Sequence, residues 1–201
     1  MHMIDPVMQK NPSLDTVTTN TASSRSLLLY TVVALGLALF IRFFIAAPYV
    51  VSGASMDPTF HDWHYLIIDR ISYEFEEPQR GDVIVFDLPD NPAKSLIKRV
   101  IGLPGETIIL KGDSVTIQNA EQQRFTLDEP YLDPANLSGS NDMRITLGPD
   151  QYFVLGDNRH VSADSRIWGA LSREYIVGRA FLRLYPFDRV DILPGEARYG
   201  E

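Results

Sequence analysis

The stretch TIILKGDSVTIQ, residues 107–118, shows most directly what kind of fold this chain adopts. Two short runs rich in Ile, Val and Thr flank the turn residues Lys111, Gly112 and Asp113. Branched side chains of this kind favour strands, and a short connection that contains Gly is typical of a β-hairpin. The stretch therefore predicts two antiparallel strands joined by a tight turn.

Similar strand-like runs lie on both sides of this hairpin, among them YLIID at 65–69, DVIVFDL at 82–88 and QYFVLGD at 151–157. Short β-like runs separated by turn residues predict a mostly β fold with an antiparallel sheet, and we assign it to residues 48–201. Within this domain, residues 128–149 are rich in Pro, Gly, Asn and Ser, so we expect a long loop or insertion there. Within residues 48–201, the run SREYIVG at 172–178 is the only segment whose sequence resembles a helix.

The N-terminal part of the chain has a different character. Residues 1–26 are rich in Ser, Thr and Asn, which predicts a disordered tail. Residues 27–47 are apolar with Arg42 as the one charged residue, and about twenty such residues span a bilayer core of roughly 30 Å. A buried helix would show a polar face, and a cleaved signal peptide would have a shorter apolar region and a more basic start.

A single transmembrane helix at 27–47 therefore fits the apolar run best. The positive-inside rule has only Lys10 and Arg25 to act on before this run, and these residues favour a cytoplasmic N-terminus. We expect residues 48–201 to lie on the extracytoplasmic side of the cell membrane.

Composition and charge exclude several classes of function. The formal net charge is −8, and an acidic domain repels phosphate backbones, so we expect no nucleic-acid partner. The chain has no cysteine, its four histidines are scattered, and it has no glycine-rich phosphate loop of the Walker or dinucleotide type. We therefore expect neither a metal site nor a cofactor.

Nucleophilic catalysis remains, and Ser55 in VVSGASMDPTF, residues 50–60, is a candidate. A serine hydroxyl needs a neighbouring base, and none of the histidines lies in a segment that resembles a catalytic motif. Lys98 begins the apolar run KRVIGL, and burial can lower a lysine pKa from about 10.4 by about 3–5 units, enough to supply a base. The residues alone leave a second interpretation open, in which Lys98 and Arg99 lie on alternate faces of an edge strand and one of them is exposed.

A polar cluster follows the strand-like run at 152–155, where the sequence reads GDNRHVSADSR from residue 156 to residue 166. Such a density of hydrogen-bonding groups after a strand can orient a catalytic base. A polar surface loop with an Asp–Arg pair explains the same residues, and the cluster alone does not distinguish the two.

Four segments together are more specific than any of them alone. SGASMDPTF at 52–60, RGDVIVF at 80–86, KRVIGLPGE at 98–106 and LGDNRHVSADSRIWG at 155–169, in this order after one apolar span, closely resemble bacterial type I signal peptidase. That family consists of membrane-bound Ser/Lys endopeptidases. The resemblance runs to about residue 185 and implies that the partners are the lipid bilayer and signal peptides of secretory preproteins, cleaved after small residues of the Ala-x-Ala type.

The resemblance also implies roles for individual residues. Ser55 matches the nucleophile, which forms an acyl-enzyme, and Lys98 matches the general base. Ser162 matches the serine that hydrogen-bonds and orients the lysine, while Asp164 and Arg166 match a charged pair that braces their loop.

Two further assignments concern the substrate. Met56 matches a position that helps line the pocket for small side chains, and the Ser55 N–H matches one donor of the oxyanion hole. Many members supply the second donor from a serine two positions before the nucleophile, whereas this chain has Gly53 there. A backbone N–H near Gly53, or a water molecule, is expected to replace it.

Three other classes of protein share some of these sequence features. Self-cleaving repressor-type proteases share the Ser/Lys chemistry, but they carry a DNA-binding domain and no membrane span. A catalytically inactive, membrane-anchored β module that binds peptides would not need both Ser55 and Lys98. A processing peptidase specialised for one substrate stays open.

Overall fold

A computed structural model describes residues 21–139 and 142–199 of the chain. It divides into two units, Met1–Leu39 and Phe40–Glu201. In the described part of the chain, the second unit is built mainly from short antiparallel strands. The strands are β1 (Ala46–Val50), β2 (Tyr65–Asp69), β3 (Val83–Leu88), β4 (Asn91–Gly102), β5 (Thr107–Lys111), β6 (Ser114–Gln118), β7 (Arg124–Thr126), β8 (Met143–Thr146), β9 (Gln151–Leu155), β10 (Leu171–Ser172), β11 (Ile176–Tyr185) and β12 (Asp191–Ile192).

The larger sheet has the strand order β1-β2-β11-β3-β4-β9-β10, with β12 paired to β11. Its pairings are antiparallel, which confirms the mostly β, antiparallel prediction. The central strand β3 reads VIVFDL and its first four residues are buried, as expected for a strand covered on both faces. β4 pairs with β3 over most of its length but with β9 only from Arg99 onward. The part of β4 before Arg99 therefore has an open edge on the β9 side.

The smaller sheet has the order β7-β6-β5-β8. The predicted hairpin is confirmed, because Lys111 pairs with Ser114 across a two-residue turn at Gly112 and Asp113. Gly112 has φ +57°, a backbone conformation that glycine adopts without a steric penalty. Ile108, Ile117 and their neighbours form a buried apolar cluster beneath this sheet.

Two segments of the domain differ from the sequence-based expectation. The predicted loop at 128–149 contains a short 3-10 turn at Pro134–Asn136 and the strand β8, which pairs with β5 and packs Ile145 against the apolar cluster. In the predicted helical run 172–178, only the turn Arg173–Tyr175 is helical. The following residues join β11, where pairing with β3 outweighs the weak local helix preference.

The helix α1 spans Thr21–Phe40 and continues as a π-helical turn, Ile41–Ile45, before β1 begins. Its bounds differ from the predicted helix at 27–47, since Ala46 and Ala47 are paired to β2. Residues 1–20 of the predicted tail at 1–26 lie outside the described residues, and the remainder of that tail is helical. Among residues 21–139 and 142–199, no helix is both long enough and apolar enough to cross a membrane.

Candidate active site

Ser55 lies in a loop that connects β1 to β2 and whose ends are tied together. The N–H of Val51 donates to the His64 carbonyl at 2.9 Å, and the N–H of Trp63 donates to the Val51 carbonyl at 3.0 Å. Phe60 is fully buried within the loop and anchors it to the core. We call residues 51–64 the nucleophile loop.

The structure brings Ser55 and Lys98 together, although 43 residues separate them in the sequence. The Lys98 Nζ donates to the Ser55 Oγ at 2.8 Å and to the Ile97 carbonyl at 2.8 Å. Lys98 belongs to β4, and its side chain is almost fully buried. Neighbouring side chains of a strand point to opposite faces, so Arg99 lies on the other side of the sheet.

The surroundings of Lys98 lower its pKa. Burial lowers the pKa of Lys98 from 10.5 to about 8, because the charged ammonium loses its hydration. The negative charges of Asp164 and Asp157 act in the opposite direction but do not cancel the effect of burial. The side chain is thus suited to accept a proton near neutral pH.

Arg99, the next residue of β4, is fully buried but retains its charge. Its guanidinium forms two hydrogen bonds to Asp157, at 2.8 and 2.6 Å, and the ring of Tyr131 covers it at 3.8 Å. Burial opposes the charge, yet the paired carboxylate of Asp157 raises the pKa of Arg99 above its ordinary value. Thr59, from the nucleophile loop, donates to the same carboxylate. This pair therefore links β4, the nucleophile loop and the segment after β9.

Asp164 and Arg166 form the ion pair that the resemblance implies, with the Arg166 Nε donating to the Asp164 carboxylate at 2.8 Å. Asp164 is fully buried and also accepts the N–H of Gly156 at 3.0 Å. The same side chain caps the short helix α2 (Ser165–Trp168) by accepting the N–H of Arg166. Asp164 thus closes residues 156–166, which we call the support loop, into a compact unit.

The support loop packs directly on the nucleophile loop. The N–H of Asn158 donates to the Ser55 carbonyl at 3.1 Å. Gly156 lies so close to Ser55 and Ser162 that an added Cβ would clash with the Ser55 carbonyl and with the Ser162 Oγ. A glycine is therefore required where the two loops meet.

Ser162 does not make the contact that the resemblance implies. Its hydroxyl is buried beside Gly156, and in the described part of the chain no group forms a hydrogen bond with it. The Lys98 Nζ instead donates to the Ile97 carbonyl of its own strand. Among the described residues, the predicted Ser162–Lys98 hydrogen bond is therefore absent from this arrangement.

Met56 and Gly53 also differ from their assigned roles. Met56 is fully buried in an apolar cluster with Phe60 and Leu66, so it supports the loop from below and does not line the cavity next to Ser55. The N–H of Gly53 donates to the carboxylate of Asp62. A role for that N–H in an oxyanion hole would require this hydrogen bond to break.

A small cavity of about 110 Å³ opens beside Ser55 and Lys98. It is lined by residues of β1, β2, β3, β4 and the nucleophile loop, most of them apolar: Tyr49, Val50, Val51, Ser52, Leu66, Val85, Ser95, Leu96 and Ile97. A cavity of this size accepts a small side chain.

The sequence did not indicate the roles of three residues at this site. Asp157 pairs with Arg99, Thr59 donates a second hydrogen bond to the Asp157 carboxylate, and Asp62 accepts the Gly53 N–H. Asp157 follows a strand and a glycine, so its position in the polar cluster was a usable signal. No local pattern marks Thr59 or Asp62, because each contact depends on the path of the nucleophile loop.

Comparisons with known proteins agree with the resemblance. The family model described as "Signal peptidase, peptidase S26" matches residues 24–185. A "Probable signal peptidase I-2" from Synechocystis is 39% identical over 173 residues, covering 83% of this chain and 75% of the relative. A "Signal peptidase I" from Leptolyngbya laminosa is 40% identical over 162 residues, covering 77% of this chain and 76% of the relative.

A solved structure of a signal peptidase I from Enterococcus faecalis matches with 34% sequence identity and a TM-score of 0.44. The match covers 52% of this chain and 97% of the solved chain. The family model spans more than half of the chain, and the two relatives exceed 30% identity over more than two thirds of it. The chain therefore belongs to the signal peptidase I family of serine peptidases, peptidase S26.

Proposed function

We propose that Ser55 and Lys98 form the catalytic dyad with which this enzyme removes signal peptides from exported preproteins. The observation that carries the proposal is the 2.8 Å hydrogen bond between the buried Lys98 Nζ and the Ser55 Oγ. With a pKa of about 8, about a tenth of the Lys98 side chains are neutral at pH 7. An unperturbed lysine would be neutral in fewer than about one molecule in a thousand.

The proposed reaction proceeds through an acyl-enzyme. The Ser55 Oγ attacks the carbonyl carbon of the scissile bond while the neutral Lys98 Nζ accepts the hydroxyl proton. When the C–N bond breaks, Lys98 returns this proton to the leaving amine. A water molecule then attacks the ester carbonyl, Lys98 takes its proton, and the Ser55 hydroxyl is regenerated.

Three residues of the support loop are proposed to keep the dyad in place. The Asp164–Arg166 ion pair holds the loop that donates a hydrogen bond to the Ser55 carbonyl, and so it restrains the nucleophile from behind. Ser162 remains the proposed partner that orients Lys98 during turnover. Its buried Oγ has no hydrogen bond with the described residues, which leaves it free to take up this contact.

The selectivity for small residues, of the Ala-x-Ala type, is proposed to come from the cavity beside Ser55. Its volume of about 110 Å³ accepts a methyl group at the cleavage position. The open edge of β4 before Arg99 supports this proposal, because an extended substrate backbone can align along an unpaired strand edge. Met56 is buried elsewhere and is not part of this proposed pocket.

We also propose that the apolar run at 27–47, apart from Ala46 and Ala47 in β1, anchors the enzyme in the cell membrane as a single span, with a cytoplasmic N-terminus. The apolar side chains of α1, from Leu27 to Phe40, are exposed, and contiguous exposed apolar surface is typical of contact with a membrane or a partner. Alkaline carbonate extraction of cell membranes tests the anchor. Recovery of the full chain in the supernatant would contradict it.

The dyad is tested with the full chain and a preprotein that carries an Ala-x-Ala cleavage site. We expect Ser55→Ala and Lys98→Ala each to lower the cleavage rate at least about 1,000-fold, since nucleophile and base act as one unit. In the wild-type enzyme, kcat/KM should fall about tenfold per pH unit below pH 8, because protonated Lys98 cannot accept the Ser55 proton.

Lys111→Ala is the matched control, because Lys111 is exposed at the hairpin of the smaller sheet. This variant should cleave at the wild-type rate. A folded Lys98→Ala variant with near wild-type turnover would show that another group is the base.

A further inference from the structure

Two neighbouring backbone N–H groups, those of Ala54 and Ser55, lie at the nucleophile itself. Within residues 21–139 and 142–199, no atom accepts a hydrogen bond from the N–H of Ala54 or from that of Ser55. Ala54 is exposed and Ser55 is half-buried beside the small cavity, so a bound peptide can reach both groups. By contrast, the N–H of Gly53 is occupied by Asp62.

The peptide groups next to these two N–H groups are held in fixed orientations. The Ala54 carbonyl accepts the Asp57 N–H at 3.2 Å, and the Ser55 carbonyl accepts the Asn158 N–H at 3.1 Å. A trans peptide is planar, and its C=O and N–H point in opposite directions. Fixing the Ala54 carbonyl therefore fixes the direction of the Ser55 N–H.

Asp62 holds the other side of this turn. Its carboxylate accepts the Gly53 N–H, which fixes the peptide immediately before the one that carries the Ala54 N–H. Gly53 has φ +98°, where the chain turns sharply in a conformation that favours glycine. Asp62 itself is placed by the hydrogen bonds of Val51 with Trp63 and His64, which close the nucleophile loop.

We propose that the N–H groups of Ala54 and Ser55 together form the oxyanion hole, and that Asp62 is the positioning residue that presents them. The inference rests on the proposed function, in which Ser55 attacks the substrate carbonyl. Successive backbone N–H groups form concave sites for anions, and donors fixed before the reaction stabilise the developing oxyanion. The hydroxyl that many relatives place at position 53 is then not needed.

The negative charge of Asp62 repels an oxyanion nearby, while its hydrogen bond to Gly53 orients the donors of the oxyanion hole. Asp62 is exposed, and water and salt weaken the field of an exposed carboxylate. The hydrogen bond to Gly53 does not need the charge, because an amide oxygen is also an acceptor. Asp62→Asn therefore separates positioning from charge.

The first experiment compares Asp62→Ala and Asp62→Asn with wild type in the full chain. We expect Asp62→Ala to lower kcat about tenfold with little change in KM, because only the transition state carries the oxyanion. Asp62→Asn should retain wild-type kcat or exceed it. Asp69→Ala is the control, since Asp69 also accepts loop N–H groups, those of Ile71 and Ser72, away from the dyad.

Inhibition by a peptide aldehyde ending in Ala distinguishes a positioning role of Asp62 from a general effect on the structure. This aldehyde forms a tetrahedral adduct with a serine hydroxyl, whereas the corresponding peptide alcohol does not. In Asp62→Ala the affinity for the aldehyde should fall by the same factor as kcat/KM, while the affinity for the alcohol stays unchanged. An equal loss of affinity for both compounds would overturn the positioning role.

The second experiment removes single N–H groups by replacing one residue with its α-hydroxy acid. An ester at position 54 removes the Ala54 N–H, and we expect kcat to fall about 100-fold. An ester at position 53 removes the Gly53 N–H and should lower kcat as much as Asp62→Ala does. Combining the ester at position 53 with Asp62→Ala should cause no further loss of kcat.

The outcomes distinguish this inference from the proposed function. Wild-type kcat for the ester at position 54 would overturn the oxyanion assignment, even if Ser55→Ala abolished cleavage. Wild-type cleavage by Ser55→Ala would instead overturn the proposed function, and with it the inference.

Discussion

Lys98 and Arg99 are neighbours on β4, and both cations are almost fully buried, yet their surroundings on the two sides of the strand differ. On the Arg99 side, Asp157 forms a bidentate ion pair at 2.8 and 2.6 Å, and the Tyr131 ring covers the guanidinium. On the Lys98 side, the hydrogen bonds of the Nζ within residues 21–139 and 142–199 go to the neutral oxygens of Ser55 and Ile97. Burial opposes the charge on both sides, but Asp157 outweighs it and raises the pKa of Arg99, whereas the pKa of Lys98 falls to about 8.

This difference shows that burial alone does not decide the state of a cation inside a protein. A carboxylate in direct contact compensates the lost hydration, whereas a hydroxyl and a carbonyl compensate it only partly. The Arg99 side is thus a structural centre that joins several segments. On the Lys98 side, burying the ammonium lowers the free energy of unfolding at neutral pH, and the same burial makes the neutral amine next to Ser55 more accessible.

The largest expected effect is on the Arg99 side. Arg99→Met leaves the Asp157 charge buried without its partner, and removing one member of a buried pair costs about 3–5 kcal/mol in the free energy of unfolding. Urea denaturation of the full chain measures this loss.

Arg198→Met serves as the control for Arg99→Met. The Arg198–Glu196 pair, at 3.1 Å, involves an exposed guanidinium, and such pairs contribute about 1 kcal/mol or less. Equal losses for the two variants would mean that the Arg99–Asp157 pair has no special structural weight.

A smaller effect of opposite sign is expected on the Lys98 side. Lys98→Met should abolish cleavage but raise the free energy of unfolding at pH 7 by about 3 kcal/mol, since the folded pKa is about 8 against 10.5 unfolded. Below pH 8 both states of the wild type hold the proton, so the gain is complete there. From pH 8 to 10.5 the folded state holds fewer protons, so wild-type stability rises and the gain from Met disappears.

Urea denaturation of both proteins at pH 7 and pH 10.5 measures this gain. Lys111→Met, at the exposed hairpin, is the control and should show no comparable dependence on pH. A gain that stayed constant across this range would contradict the assigned shift of the Lys98 pKa.

Parts of the fold could be predicted because they depend on local chemistry. Branched residues around Gly112 and Asp113 are sufficient to specify the β5–β6 hairpin, and the register confirms it. The strand β8 escaped prediction because MRIT is short and lies among turn residues, and its pairing with β5 stabilises it. The candidate dyad could be named because four ordered segments point to the same family.

Other features of the site could not be read from the sequence. Met56 follows Ser55 directly, and only the path of the nucleophile loop decides that its side chain enters the core. The path of the loops also decides that the Ser162 hydroxyl has no hydrogen bond with the described residues and that Asp62 accepts the Gly53 N–H. A motif names the residue types at a site, but it does not say which hydrogen bonds they form.

The sequence by itself determined that this protein is mostly β, which family it resembles, and that Ser55 and Lys98 are the candidate reacting pair. Strand preference, turn chemistry and motif order depend on residues close together in the chain, so a single sequence contains them. Only the tertiary structure decided that Lys98 is buried with no carboxylate of the described residues in contact, and that Asp62 accepts the Gly53 N–H. A pKa and the availability of an N–H depend on every group brought near them by folding, and the spacing of residues does not record those distances.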